Sequence, residues 1–222
     1  MKRYWLILVF YFVSNVVCPQ TNPEDKLGTW FMYNGKHQLS EKFSINSGVQ
    51  FRYYEPSTNY NLNLFYTGFN YHIGSQTFAT FNYGYLDIDR SIEFSDVKNT
   101  IEHRFWEQIY RKHKLYGIAL NHRLRLEHRF LHDHENTLQN RIRYRLGSSI
   151  PINSRFSFLV SNEFFVNLEG DPFRENRIYG ALDIQIDKHV KINLGYLRQH
   201  INNLNLNRLQ VGMHITTDLR KK

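Results

Sequence analysis

The chain has 222 residues, a formal net charge of +8, one cysteine and a mean hydropathy of -0.53, and 16% of it is aromatic. A lone cysteine excludes an internal disulfide framework, the length suits one domain, and the basic balance admits an acidic partner such as nucleic acid or anionic lipid. The hydropathy suits a secreted soluble protein, but a membrane barrel gives the same value, because its lipid-facing and lumen-facing residues alternate and average out.

The chain opens with Lys2 and Arg3, then an apolar run from Tyr4 to Phe12 that extends through Val17, then polar residues and Pro19. That is the layout of a secretory signal peptide. The run is shorter than the ~20 residues a membrane-spanning helix needs. Cleavage is expected near Cys18 to Gln20, which leaves residues 1–20 as the leader and 21–222 as a single mature domain. Cys18 invites a lipoprotein reading, but Asn15-Val16-Val17 lacks the small residue that usually precedes an acylated cysteine. Export argues against nucleic acid as the partner.

A first, weaker strand candidate runs from Gly28 to His37, and it either joins a sheet or enters the interior of a barrel. Next, Phe43, Ile45, Val49, Phe51 and Tyr53 alternate with Ser44, Asn46, Gly48, Gln50 and Arg52. A second weaker candidate covers Leu62 to Ile73. Ala79, Phe81, Tyr83 and Tyr85 then oppose Thr80, Asn82, Gly84 and Leu86, and a third weaker candidate spans Thr100 to Tyr110.

The clearest alternation is YGIALNHRLRLEHRF, from Tyr116 to Phe130. One parity carries Ile118, Leu120, His122, Leu124, Leu126, His128 and Phe130. The other carries Gly117, Ala119, Asn121, Arg123, Arg125, Glu127 and Arg129. Side chains on a strand point to opposite faces in turn, so this segment has one apolar and one polar face. It is longer than the ~5–6 residues of a typical soluble strand and exceeds the ~9–11 that cross a bilayer at a tilt. The same pattern returns at Leu138–Gly147, where Gln139, Arg141, Arg143 and Arg145 form the polar row, and again over Phe156–Asn167, Arg177–Ile186, Val190–Tyr196 and Arg208–Ile215.

The total is roughly eleven strands and no amphipathic helix. Bacterial single-chain barrels usually have an even number, so either two segments are one bent strand or one is missed, with Gly28–His37 the weakest assignment. Short turns are expected near Leu39–Lys42, Gly74–Gln76, Arg111–Lys114, Ile150–Ser154 and Asp187–His189. Longer loops are expected near Glu55–Asn61, Asp87–Asn99, Leu131–Asn136, Leu168–Asn176 and Ile201–Asn205. Short turns at one end and long loops at the other are the habit of outer-membrane barrels.

Alternation alone does not say which face is inside. A lipocalin-like soluble barrel would turn Phe, Leu and Ile inward, and a membrane barrel would turn them outward. Three features favour the membrane: the strands are long, the polar row is Arg with Glu, Asn and Gln rather than Lys, and Gly48, Gly117, Gly147 and Gly195 recur on that row, where a crowded lumen needs small residues. His122 and His128 on the apolar row count against it unless they lie near the headgroups. Tyr53, Tyr54, Trp106, Tyr110 and Tyr196, near strand ends, suit the aromatic belts of a bilayer interface.

A set of short motifs adds to this: Trp30 after Gly28, Gln50-Phe51-Arg52, Gly84-Tyr85, Glu102-His103-Arg104, Arg123 to Arg129, Asn140 to Arg145, Glu163, Asn176-Arg177 and Gly195-Tyr196. Together they resemble the domain-of-unknown-function family numbered 2490, a group of predicted outer-membrane barrels common in Bacteroidetes-type bacteria. The resemblance spans nearly the whole mature chain, and the Glu-His-Arg and Arg-x-Arg repeats are its most specific part. It implies a fold and a location and supplies no catalytic residues. One departure is the end of the chain, His214 to Leu219 with a basic tail, where such barrels often close on an aromatic assembly signal.

The strongest constellation is the polar row of the central strands. Arg104, Arg123, Arg125, Arg129, Arg141, Arg143 and Arg145 are expected on one side with Glu102, Glu127, Glu163 and Asp183. Such a set is either a salt-bridge lattice that fills the lumen, since buried charges must be paired, or a basic pore surface that attracts anions. A small barrel has little room beyond its own side chains, which favours the lattice. His132-Asp133-His134-Glu135 carries metal-type donors but reads as a solvated loop. Ser157 and Ser161 sit on the polar row, and His103, His122 and His128 on the apolar one, so no serine–histidine pair for nucleophilic catalysis is expected.

The expectation is therefore an all-β, antiparallel up-and-down transmembrane barrel of roughly ten to twelve strands in the cell outer membrane. It would be a scaffold or a narrow anion-favouring channel, not an enzyme, without cofactor or metal. Its expected partners are outer-membrane lipid, the barrel-assembly machinery and small anions, with no nucleic acid. The alternatives are an exported soluble barrel that binds an apolar ligand and an outer-membrane lipid-modifying enzyme.

Overall fold

The computed structural model describes residues 23–91, 98–133 and 135–220. The expected leader and Cys18 lie outside the described residues. After one 3-10 turn at Pro23–Asp25, eleven strands follow in sequence: β1 (Leu27–Gln38), β2 (Phe43–Glu55), β3 (Thr58–His72), β4 (Thr77–Ile88), β5 (Thr100–Leu115), β6 (Ile118–His132), β7 (Asn136–Pro151), β8 (Phe156–Asn167), β9 (Glu175–Gln185), β10 (Val190–Ile201) and β11 (Leu204–Asp218). Each strand pairs with its neighbours in sequence, and β1 pairs with β11 to close the barrel.

The odd strand number is real, and its consequence is a parallel seam. Strands that run alternately up and down return the eleventh to the direction of the first. So β1 and β11 pair in parallel, from Leu27↔Asn207 to Gln38↔Asp218, while every consecutive pair is antiparallel. Among the described residues no two segments merge and none is missed. Gly28–His37 joins the wall as β1, paired along both edges, and does not enter the interior. The strict up-and-down antiparallel expectation therefore fails at this one seam.

The connections differ from expectation in an instructive way. At one end, the short-loop end, they are residues 39–42, 73–76, 116–117, 152–155 and 186–189, and all are short. At the other end, the long-loop end, only 89–99 and 168–174 are long. The expected long loops near Glu55–Asn61 and Ile201–Asn205 are tight turns, and the one near Leu131–Asn136 contracts to 133–135. Asn202 and Asn203 both take positive φ (49° and 65°), which suits the type I′ hairpin turns favoured between twisted strands. Asn tolerates that region because its side chain bonds locally.

The same turn chemistry corrects the central strand. Tyr116 and Gly117 have φ of 48° and 81° and form a two-residue turn, so β6 starts at Ile118. Gly117 is a turn glycine and not a small residue on the lumenal row. Arg111–Lys114, expected as a turn, is the end of β5. Elsewhere the crowding argument holds: a Cβ at Gly48 would overlap the Tyr66 ring, and one at Gly195 the Tyr179 ring.

The faces are inverted relative to a soluble protein. Phe69 is 63% exposed and Leu124 51%, while Glu102 and Glu127 are fully buried. Large apolar residues stand outward on every strand, among them Phe31 on β1, Phe51 on β2, Phe81 on β4, Ile109 on β5, Tyr144 on β7, Phe164 on β8, Ile178 on β9 and Leu194 on β10. Inside, one small apolar cluster of Leu62, Leu64, Leu86 and Ile88 lines β3 and β4, with Tyr66 packed against it.

Candidate functional site

Register builds the site. Antiparallel pairing sets Glu127 opposite both Trp106 and Arg141, and Arg145 opposite both Arg123 and Glu163. The period of two then sends every second residue of these strands inward. All eleven residues expected on the charged row lie on the lumenal side.

Three carboxylates organise most of the guanidiniums. Glu127 accepts from Arg141 Nη2 and Arg143 Nη1, both at 2.6 Å, and from Arg125 Nη1 at 3.3 Å, with Arg104 Nη1 at 3.9 Å. Glu163 accepts from Arg123 Nη2 at 2.5 Å and Arg143 Nε at 2.9 Å. Glu102 accepts from Arg104 Nε at 2.5 Å and Arg129 Nη2 at 2.8 Å. Arg143 thus bridges two carboxylates, and Glu127 holds together β5, β6 and β7. Charge-assisted bonds of this kind are shorter and stronger than neutral ones.

Two expected members stand apart from the lattice. Asp183 takes Lys191 Nζ at 3.2 Å and Asn193 Nδ2 at 2.6 Å. Arg145 has no hydrogen bond or ion pair among the described residues, and its Nε is shut off from solvent without an acceptor.

The opposite walls add what the sequence reading left out. Glu175 accepts from Arg177 Nη2 at 2.5 Å and Gln199 Nε2 at 2.7 Å, and lies 3.6 Å from Arg141. Arg52, Arg177 and Arg208 bring the lumenal guanidiniums named here to ten, against five carboxylates. Aromatic faces hold much of the surplus. Arg143, Arg177 and Arg141 lie 4.4, 4.6 and 4.9 Å from the Phe165 ring. Arg52 sits 3.9 Å over Trp30, and Arg125 5.1 Å from Trp106. Each such contact is worth about 0.5–2 kcal/mol, more when water is excluded.

These aromatics correct the belt expectation. Trp106 and Tyr54 are buried inside, and Tyr110 shares their inward parity, stacked 4.8 Å from Phe78. Only Tyr53, against Phe31, and Tyr196 face outward. Adjacent residues such as Tyr53 and Tyr54 must face opposite sides of a strand. Parity would also have found Phe165, two residues after Glu163, and Glu175, two before Arg177.

The lattice divides the lumen. One chamber of about 410 Å³ opens toward the long-loop end and is lined by Tyr54, Arg90, Arg174 and Arg208. A second of about 440 Å³ lies toward the short-loop end and is lined by Trp106, Arg123, Arg145, Tyr179 and His214. Arg52, Arg104, Arg143 and Arg177 line both, so a guanidinium layer separates them.

The remaining candidate histidines fall on the outer row or in a loop, and the two serines on the inner row. His103 shares a 2.7 Å hydrogen bond with Tyr83 Oη, and His122 one with Tyr144 Oη. His128 Nδ1 donates to Asn140 Oδ1 at 2.7 Å, and its Nε2 lies 3.4 Å from Glu107. Ser157 and Ser161 share the inward parity of Glu163, on the other side of the wall from these histidines. In the His132–Glu135 segment, His132 bonds Asn136 at 2.8 Å and Asp133 caps the Glu135 amide; His134 lies outside the described residues. Among the described residues no group of three or more His, Cys, Asp or Glu is placed to hold a metal ion.

The family model described as "Protein of unknown function (DUF2490)" matches residues 27–210, which is nearly the whole barrel. No curated protein and no solved structure matches the chain.

Proposed function

The chain belongs to the DUF2490 family, whose description carries no activity, and we propose that it is an outer-membrane barrel with a narrow, anion-favouring lumen. The observation that carries this reading is the inversion of its faces. Apolar side chains crowd the outside of a closed wall, with Glu107 exposed among them beside His128, and Glu102, Arg104, Glu127, Arg143 and Glu163 are buried within. Strands of 11–16 residues are long enough to cross a bilayer. Lipid is the partner that such an outside requires.

The lumen's charge supports the preference for anions. Ten guanidiniums face five carboxylates, and fixed cations lower the barrier for the opposite sign. The Arg–Glu layer between the two chambers makes any passage narrow, so the protein works as a near-closed barrel rather than an open porin. The soluble, apolar-ligand alternative would need an apolar interior, and among the described residues the apolar cluster inside, on β3 and β4, is small. No catalytic role is assigned.

Cell fractionation tests the location: the protein should be insoluble in sarkosyl and change mobility on heating. Planar-bilayer recording in a salt gradient tests the lumen. Conductance should be small, with a reversal potential of anion sign that fades at high salt, as the Debye length falls from about 10 Å at 0.1 M to about 3 Å at 1 M. Cation selectivity contradicts the basic lumen. No conductance in any condition favours the scaffold reading.

A further inference from the structure

We infer that Arg123 and Arg145 form a cradle for a free tetrahedral oxyanion of the phosphate class, in the chamber toward the short-loop end. This deepens the anion-favouring reading of the lumen and rests on it.

On β6 and β7, Arg123 stands directly opposite Arg145, and Arg125 directly opposite Arg143. Like charges in that relation destabilise a sheet. Two of the four are fully engaged elsewhere: Arg143 bridges Glu127 and Glu163, and Arg125 turns to Gln108, at 2.8 and 3.0 Å, and to Glu127. Arg123 spends one nitrogen on Glu163, and its Nε has no acceptor. Arg145 spends none, although Glu163 is its cross-strand neighbour, because that carboxylate already serves Arg123 and Arg143.

The result is a pair of cross-strand guanidiniums at the wall of a 440 Å³ chamber, each with an Nε that has no acceptor, and one of them, Arg145, with no ion pair among the described residues. The planar fork of Arg matches the paired oxygens of phosphate. One tetrahedral oxyanion between the two would accept from both and remove their mutual repulsion. The enclosing wall restricts access to the open end of the barrel, so the ligand is a free ion and not a lipid headgroup.

The test is calorimetric titration of inorganic phosphate into the refolded mature chain in detergent at low ionic strength. One saturable site is expected. Arg145→Gln and Arg123→Gln should each weaken it tenfold or more, while Lys188→Gln, which removes a charge from an exposed turn at the same end, should not. Arg145→Gln should keep the wild-type heat-modifiable fold, since Arg145 makes no hydrogen bond or ion pair among the described residues, and phosphate should raise the melting temperature of the wild type but not of this variant.

Absence of saturable binding, or binding unchanged in Arg145→Gln, overturns the cradle. Equal weakening in Lys188→Gln also overturns it, by reducing the effect to overall charge. Phosphatidic acid added to the micelles should not displace phosphate, and displacement would overturn the free-ion assignment. An anion-selective reversal potential without phosphate binding removes the cradle and leaves the passage, whereas cation selectivity removes the passage itself.

Discussion

The two halves of the lumen solve the same problem with different chemistry. On β5 to β8 the inner row is ionic: Glu102, Glu127 and Glu163 each hold two or more guanidiniums. On β2 to β4 it is neutral apart from Arg52, which rests on the Trp30 ring. There Asn46 Nδ2 donates to Asn82 at 2.5 Å, Asn70 Nδ2 to Ser44 Oγ at 3.0 Å, and Thr80 Oγ1 to Asn70 at 2.7 Å, beside the Leu62–Leu64–Leu86–Ile88 cluster. A neutral amide ladder loses one bond when one member is removed. An ionic lattice leaves a buried charge behind, so the charged wall should be brittle and the neutral wall forgiving.

Glu127→Gln should break the charged wall hardest, because four guanidiniums lie within 4 Å of that one carboxylate. Loss of one partner from a buried pair costs about 3–5 kcal/mol, so unfolding in detergent should shift by at least that order. A shift under about 1 kcal/mol, the worth of a solvated surface pair, would mean the lattice is wet. Next comes the outer face of the same wall. Leu124→Arg places a charge where the bilayer would be, at a cost of about 2–4 kcal/mol near the midplane, and folding into vesicles should slow or fail. Assembly at the wild-type rate would reverse the assignment of faces.

On the neutral wall, Asn70→Ala removes the acceptor of Thr80 and the donor to Ser44. The expected loss is about 1–3 kcal/mol, the range for an unsatisfied buried polar group. A loss as large as that of Glu127→Gln would erase the contrast between the walls. The smallest effect belongs to the 186–189 turn. The backbone amides of His189 and Val190 hold the Asp187 carboxyl below its ordinary value of 3.8. A depressed folded value stabilises above the unfolded value and is lost as pH falls through the folded one. Asp187→Ala should therefore be less stable than wild type at neutral pH, with the gap closing below pH 3.8; a gap that widens in acid would contradict the turn geometry.

The barrel and the charged row were legible in the sequence because the period of two is carried by chemistry that cannot be confused: Arg123, Arg125, Glu127 and Arg129 between Leu124, Leu126 and His128. The weaker rows hid their members. Phe165 is apolar yet points inward, and only its position two residues after Glu163 betrays it, because a guanidinium lattice uses aromatic faces as well as carboxylates. The tight turns at Ser57 and Asn202–Asn203 were missed because Asn and Ser in a row read as loop, while two left-handed residues suffice to reverse a strand. Pairing across strands is where sequence gives least. That Arg145 faces Arg123, and that Glu163 is spent elsewhere, follows from register.

The central claim is that the apolar row meets lipid and the charged row does not. Single cysteines in a Cys18→Ser background at Phe81, Ile109 and Leu124, and at Asn82, Gln108 and Ser161, would carry an environment-sensitive fluorophore in protein refolded into vesicles. Spin-labelled lipid should quench the first three strongly and leave the second three unquenched. Quenching of the second set, or of neither set, would contradict the claim.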